Sequence, residues 1–183
     1  MSKNEFIPAE LFTALNKAAR LHRYQRRKGS ECIPYINHPI KVAMLLTQCG
    51  YSDISLLQAA VLHDVVEDTD YTLEEMAADF SAEVAALVKE MTDDMSLPSK
   101  KRKQLQIEHA AELSTGAAKI KIADKICNIS DLLEYELTWS RERKLEYVRW
   151  AQKVIRHIKQ PDSCLLNQFI KIARQAEDEF ADA

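Results

Sequence analysis

The segment Leu62-His63-Asp64-Val65-Val66-Glu67-Asp68 packs three acids and an imidazole into one short stretch. In a helix, residues four apart share a face, so His63 stacks with Glu67 and Asp64 with Asp68. The flanking Ala59, Ala60, Val61, Leu62, Val65 and Val66 are apolar, and the run from Leu56 to Leu62 is too apolar for a surface helix. Ionisable groups inside such a helix are costly unless a cation or strong hydrogen bonds compensate them. The plain alternative is an exposed helix end with its acids in water, and the apolar run argues against it.

Two other segments carry matching chemistry. Asp124, Asn128 and Asp131 fall at i, i+4 and i+7, one stripe of a helix that also holds Lys119, Lys121 and Lys125. Taken alone, that stripe reads as an amphipathic helix facing water. In Pro34-Tyr35-Ile36-Asn37-His38-Pro39, the second proline fixes a helix start and places His38 just before it. A lone histidine there would ordinarily cap or pack. Together His38, His63, Asp64 and Asp124 supply two imidazoles and two carboxylates. That donor set suits a divalent transition metal with positions left for water and substrate. Such a metal acidifies water and polarises a phosphoryl oxygen. Glu67 and Asp68 stand one turn on, placed to orient or deprotonate the water.

The elements that must position these groups read as helical almost throughout. Pro8 occupies a first helical position before Leu11, Phe12, Leu15, Ala19 and Leu21. A basic stretch from Arg20 to Lys28 and a loop from Gly29 to Pro34 follow. The next helix covers Ile40 to Cys49 and stops at Gly50. Ser52 or Asp53 caps a third, Thr72 and Glu75 form a capping box for a fourth, and Ser81 opens a fifth. A lysine-rich helix starts near Ser99, and Ser114-Thr115-Gly116 reads as a break. Long helices then cover Ala117 to Glu134 and Ser140 to His157, and a last one follows Pro161. The expectation is one all-α domain over residues 1–183, a bundle of about eight to nine helices with its core at 12–157 and a C-terminal helix at 161–180.

Composition narrows the function classes. The chain has 25 Lys+Arg against 28 Asp+Glu, so any attraction for phosphate must come from a local cluster. Three glycines leave no glycine-rich nucleotide loop. Cys32, Cys49, Cys127 and Cys164 show no C-x-x-C spacing, which predicts reduced thiols in a cytoplasmic protein. No signal peptide or membrane span is evident. Lys100-Lys101-Arg102-Lys103 reads as a solvated helix face near the site, since no aromatic residues interleave it for stacking on bases.

The order His38, His63-Asp64, Asp124 resembles the HD superfamily of metal-dependent phosphohydrolases. The surrounding text is more specific. Arg26-Arg27-Lys28, PYINHP (34–39), LLQAAVLHDVVEDTDYTLEE (56–75), TDD with LP (92–98) and KIADKICNISDL (121–132) resemble the alarmone hydrolase domain of the RelA/SpoT family. Size and wording are similar to its stand-alone, Mesh1-type subgroup, over roughly residues 12–157. Ser130 and Asp131 stand near the site where long members tend to carry threonine; Mesh1-like members share the aspartate, which supports the subgroup, and Gly29 after Lys28 departs from some bacterial members.

The resemblance implies removal of the 3′-pyrophosphate of (p)ppGpp, giving GDP or GTP and pyrophosphate, with Mn²⁺ as the usual metal and Zn²⁺ or Fe²⁺ as substitutes. It implies His38, His63, Asp64 and Asp124 as metal ligands and Glu67 and Asp68 as the catalytic acid pair. Arg27, Lys28, Asn128, Arg143 and Tyr147 would contact the nucleotide. Competing readings are hydrolysis of (p)ppApp, removal of the 2′-phosphate of NADPH, and a silent alarmone-binding module. A di-iron oxidase needs more histidines than His109 between the HD pair and Asp124. The expected partner is a small nucleotide, with no nucleic acid and no membrane, for a cytoplasmic monomer or homodimer.

Overall fold

The computed structural model describes residues 9–29 and 31–181. Among the described residues, ten helical segments follow in chain order: α1 (Ala9–Leu21), α2 (Asn37–Gln48), α3 (Ile54–Leu62), α4 (Val65–Asp68), α5 (Leu73–Asp79), α6 (Ala82–Met91), α7 (Ser99–His109), α8 (Thr115–Glu134), α9 (Arg141–His157) and α10 (Ser163–Ala181). Among the described residues there is no strand, only an isolated bridge between Arg26 and Pro34. None of these helices is long and apolar enough to cross a membrane. Pro8 lies outside the described residues.

Side-chain caps set most helix starts. Asp53 accepts from Leu56 N at 2.8 Å, so it, and not Ser52, caps α3. Thr72 and Glu75 form the reciprocal capping box of α5. Ser81, Ser114 and Ser140 cap α6, α8 and α9. Gly50, at φ +86°, supplies the left-handed turn that ends α2.

Helix α8 is the axis of the bundle. It packs against α2, α3, α6, α9 and α10. Thirteen of its 20 residues are buried, which leaves it no broad face for solvent. Ile120, Ile122 and Ile129 join Val42 and Leu46 of α2 and Val61 and Leu62 of α3 in one core. α9 and α10 close the far side, packed on each other and on α8.

Four sequence expectations are corrected here. The stretch from Leu56 to Asp68 is not one helix: α3 ends at Leu62, and α4 is a single turn with Asp64 at its N-cap. His38 lies inside the first turn of α2, not before it, because the helix begins at Asn37. Ser114-Thr115-Gly116 is a helix start instead of a break. A Cβ on Gly116 would stand 2.7 Å from Leu87 Cδ2, so the missing side chain leaves room for Leu87 of α6 to pack on the first turn of α8. Finally, not all cysteines are free. Cys49, at the end of α2, and Cys164, in the first turn of α10, form a disulfide with Cα atoms 5.9 Å apart. Cys32 and Cys127 are the free thiols, one exposed and one buried.

Candidate metal and nucleotide site

The corner between α3 and α4 turns two candidate ligands, His63 and Asp64, inward. His63 Nδ1 lies 2.8 Å from Ala60 O, so it carries a proton and donates, leaving Nε2 as the nitrogen that turns toward the carboxylates. That Nε2 is buried without a hydrogen-bond partner. It lies 3.1 Å from Asp64 Oδ2 and 3.8 Å from Asp124 Oδ1. His38, entering from α2, brings its Nε2 to 3.1 Å from Asp124 Oδ1 and 3.8 Å from Asp64 Oδ2. His38, His63 and Asp124 each offer one ligand atom within 4.8 Å of the others. The four residues expected to share a metal therefore converge, His38 from α2, Asp124 from α8, and His63 and Asp64 from the corner between α3 and α4.

Their electrostatics ask for a cation. Burial alone would raise the Asp64 carboxyl, but the His63 imidazole beside it holds it well below the usual carboxylate range. Asp124 is likewise buried, and Lys125 together with the two histidines holds it well below that range. The same carboxylates overcome burial at His63 and raise it to about 10, whereas burial lowers His38. A partnerless buried Nε2 facing two ionised carboxylates suits a divalent metal, which would replace the His63 proton as counter-charge.

Further groups close the cavity. Tyr35, from the PYINHP segment, donates its hydroxyl to Asp64 Oδ2 at 2.6 Å. Asn128 donates to Asp124 Oδ1 at 2.6 Å, and Lys125 donates to Asp124 Oδ2 at 2.9 Å. The cavity holds 150 Å³ and is also lined by Glu67, Gln106 and Lys121. Lys121 is 5% exposed, with burial lowering it and Asp124, Asp93 and Glu67 pulling the other way. Sequence reasoning gave Tyr35, Lys121 and Lys125 no role. Their signal was present: Tyr35 sits three residues before His38, and both lysines flank Asp124 within one turn.

The two acids expected to be catalytic, Glu67 and Asp68, face different cavities. Glu67 lines the metal cavity and accepts from Asp93 N at 2.5 Å. Burial, with Asp64 and Asp93 adding to it, raises the Glu67 carboxyl to about 7 against the pull of that hydrogen bond. Asp68 lines an adjoining cavity of 330 Å³ and accepts from Gln25 Nε2 at 2.8 Å. Burial raises it above the usual range, and the Gln25 bond opposes this. Adjacent helical residues point about 100° apart, so one pair of neighbours serves two walls.

The larger cavity is lined by Arg26, Arg27, Lys28, Asn128, Trp139 and Tyr147, among others, and shares Tyr35 and Asn128 with the metal cavity. Arg27 is held by Asp131 Oδ2 at 2.9 Å and by Asn128 Oδ1 at 2.6 Å. Lys28 stands over the Trp139 ring at 5.6 Å. Arg143 stacks on the other residue of that pair, 4.2 Å from the Trp139 ring centroid, and does not line the cavity itself. Tyr147 lines the cavity and meets the Trp139 and Trp150 rings. Of the basic stretch after α1, Arg20 and Arg23 are exposed and line neither cavity.

A family model described as an HD domain matches residues 14–154. A Homo sapiens protein named guanosine-3′,5′-bis(diphosphate) 3′-pyrophosphohydrolase MESH1 is 51% identical over 150 residues, covering 81% of this chain and 84% of that one. The Drosophila melanogaster protein of the same name is 43% identical over 169 residues, covering 91% and 94%. A solved structure described as a metazoan ortholog of SpoT that hydrolyzes ppGpp matches with TM-score 0.89 and 42% identity, over 93% of this chain and 97% of that one.

Proposed function

This chain belongs to the HD-domain family, and from that membership we propose that it is a metal-dependent hydrolase removing the 3′-pyrophosphate of (p)ppGpp. The relatives bearing that activity in their names match most of its length. The observation that carries the reading is the convergence of His38, His63 and Asp124 beside a basic, aromatic-lined cavity of 330 Å³.

In this proposal His38, His63, Asp64 and Asp124 hold one divalent cation, taken to be Mn²⁺. Bound there, the cation supplies Lewis-acid polarisation of the phosphoryl oxygen and acidifies water. Glu67, raised to about 7 and facing the same cavity, takes the proton of the attacking water. Asp68 holds the water from the nucleotide side. The water oxygen attacks the 3′-linked phosphorus, the bond from phosphorus to the ribose 3′ oxygen breaks, that oxygen takes up a proton from solvent to become the 3′ hydroxyl, and GDP or GTP leaves with pyrophosphate as the second product. Arg27, Lys28 and Asn128 face the nucleotide phosphates, and Tyr147 closes the cavity over the nucleoside. Arg143 orders Trp139 and adds positive charge at the rim. The proposal takes 1–183 as one domain acting on a small nucleotide in the cytoplasm as a monomer or homodimer, with neither nucleic acid nor membrane as partner.

The test is pyrophosphate release from ppGpp with and without added Mn²⁺, beside phosphate release from NADPH and pyrophosphate release from ppApp. Mn²⁺-dependent pyrophosphate from ppGpp is the expected result. Phosphate from NADPH without any pyrophosphate from ppGpp would retain the metal site and overturn the substrate.

A further inference from the structure

The turn after α1 contains a buried histidine that the proposed chemistry leaves unused. His22 is 2% exposed and lines neither cavity of the site. Its Nδ1 lies 2.6 Å from Gln25 Oε1, and Gln25 Nε2 donates to Asp68 Oδ2 at 2.8 Å. The direction of this chain follows from the groups. A carboxylate only accepts, so the Gln25 nitrogen must face Asp68 and the Gln25 oxygen must face His22. Nδ1 therefore carries a proton whether the ring is neutral or charged.

His22 Nε2 is buried without a hydrogen-bond partner. An apolar ring would fill the same space, 4.8 Å from the Tyr35 ring, without stranding a polar atom. Packing alone gives no reason for an imidazole here, and the Nδ1 proton gives one. The backbone holds both ends of the relay: Gln25 N donates to His22 O at 2.9 Å, and Tyr35 N donates to Gln25 O at 3.1 Å.

We infer that His22 is a positioning residue, whose Nδ1 proton pins the Gln25 amide so that Asp68 is held in one orientation beside Glu67. Without that proton the Gln25 oxygen loses its donor and the amide keeps only one of its two side-chain anchors, so the side chain swings and Asp68 moves with it. The inference rests on the role proposed for Asp68.

The test measures kcat, KM and Mn²⁺ affinity with ppGpp for His22→Phe, His22→Asn, His22→Gln and Asp68→Asn. Asparagine places an amide donor where Nδ1 stands, and glutamine places one where Nε2 stands. His22→Phe is expected to lose on the order of 10- to 100-fold in kcat, with KM and metal affinity unchanged. His22→Asn is expected to recover most of that loss, and His22→Gln is not. If His22→Phe does not fold, the contrast between Asn and Gln carries the same test. Equal turnover of those two variants, or a change confined to KM, overturns the positioning role. Undiminished turnover in Asp68→Asn overturns the role of Asp68 on which it stands; a dead Asp68→Asn beside a fully active His22→Phe overturns the relay alone.

Discussion

Helices α7 and α8 draw on the same cationic side chains in opposite settings. α7 carries Lys100, Lys101, Arg102 and Lys103 in a row and buries none of its residues. α8 carries Lys121 and Lys125 at 5% and 4% exposure. Charge does not separate the two helices; placement does. α7 packs on α9 at the rim, while α8 runs through the centre against five neighbours. Lys125 overcomes burial through Asp124, to which it donates, and Lys121 faces Glu67 and Asp93. Lysines in the centre are counter-charges to the acids of the site, and lysines on α7 belong to the solvent, apart from Lys103, which reaches the Trp150 ring at 5.2 Å.

Removing chemistry from the α8 side gives the largest expected effect. Asp124→Ala should lose bound metal and turnover together, with kcat/KM falling by roughly 10³-fold or more. Equilibrium dialysis of Mn²⁺ beside pyrophosphate release checks it, and an active variant without metal would sink the ligand assignment.

Glu67→Gln should keep the metal and lose about 10²- to 10⁴-fold in kcat. Glu67 acts as a base only when ionised, and burial holds its proton up to about 7. Wild-type kcat should therefore rise with pH on a limb above the ordinary carboxylate range, and the variant should lack that limb. The same shift has a stability consequence in the metal-free protein. Below its ordinary value of 4.5 both states bind the proton, and as pH rises through about 7 the folded state must give up a proton it holds more tightly than the unfolded chain does. That contribution to stability is lost across this window, so metal-free Glu67→Gln should melt above the wild type at pH 8. Equal melting temperatures would remove the shift.

Lys121→Met sharpens the contrast between the helices. Lys121 lowers the Glu67 carboxyl, so its loss should move the acid limb of kcat to higher pH, by up to about one unit. An unmoved limb would make Lys121 a packing residue only. The smallest effect belongs to α7: Lys100→Ala with Lys101→Ala should leave stability within about 0.5 kcal/mol and kcat/KM nearly unchanged. A large loss of kcat/KM would place those two side chains on the substrate.

The cluster proposed to hold a metal was legible because metal chemistry restricts residue type, and His63-Asp64 sets two of its members side by side in the chain. All-α architecture was legible from capping residues such as Thr72 with Glu75 and from apolar spacing. The corner at His63-Asp64 was not, since neither residue is a helix breaker and the interruption comes from packing. Arg27 is the type expected at a phosphate, yet half of its task is to tie the segment after α1 to Asn128 and Asp131 of α8. The Cys49–Cys164 pair is separated by 115 positions, so no local spacing could announce it. His22 looked like any residue of a basic turn, and its burial depends on Tyr35, which arrives from another segment.

Gly116 has a reach beyond its own contact. It sits eight positions before Asp124 on the same rigid rod, about 12 Å away at the usual rise per residue. A methyl group there would only turn aside the flexible tip of Leu87, but a bulky branched side chain would go further and lift the first turn of α8 from α6. A rod displaced at one end carries its whole length along, so Asp124, Lys125 and Asn128 would shift as a set relative to His38 and His63, which are anchored elsewhere. The aim of the site is thus zeroed at a position that has no polar side chain and never approaches the substrate.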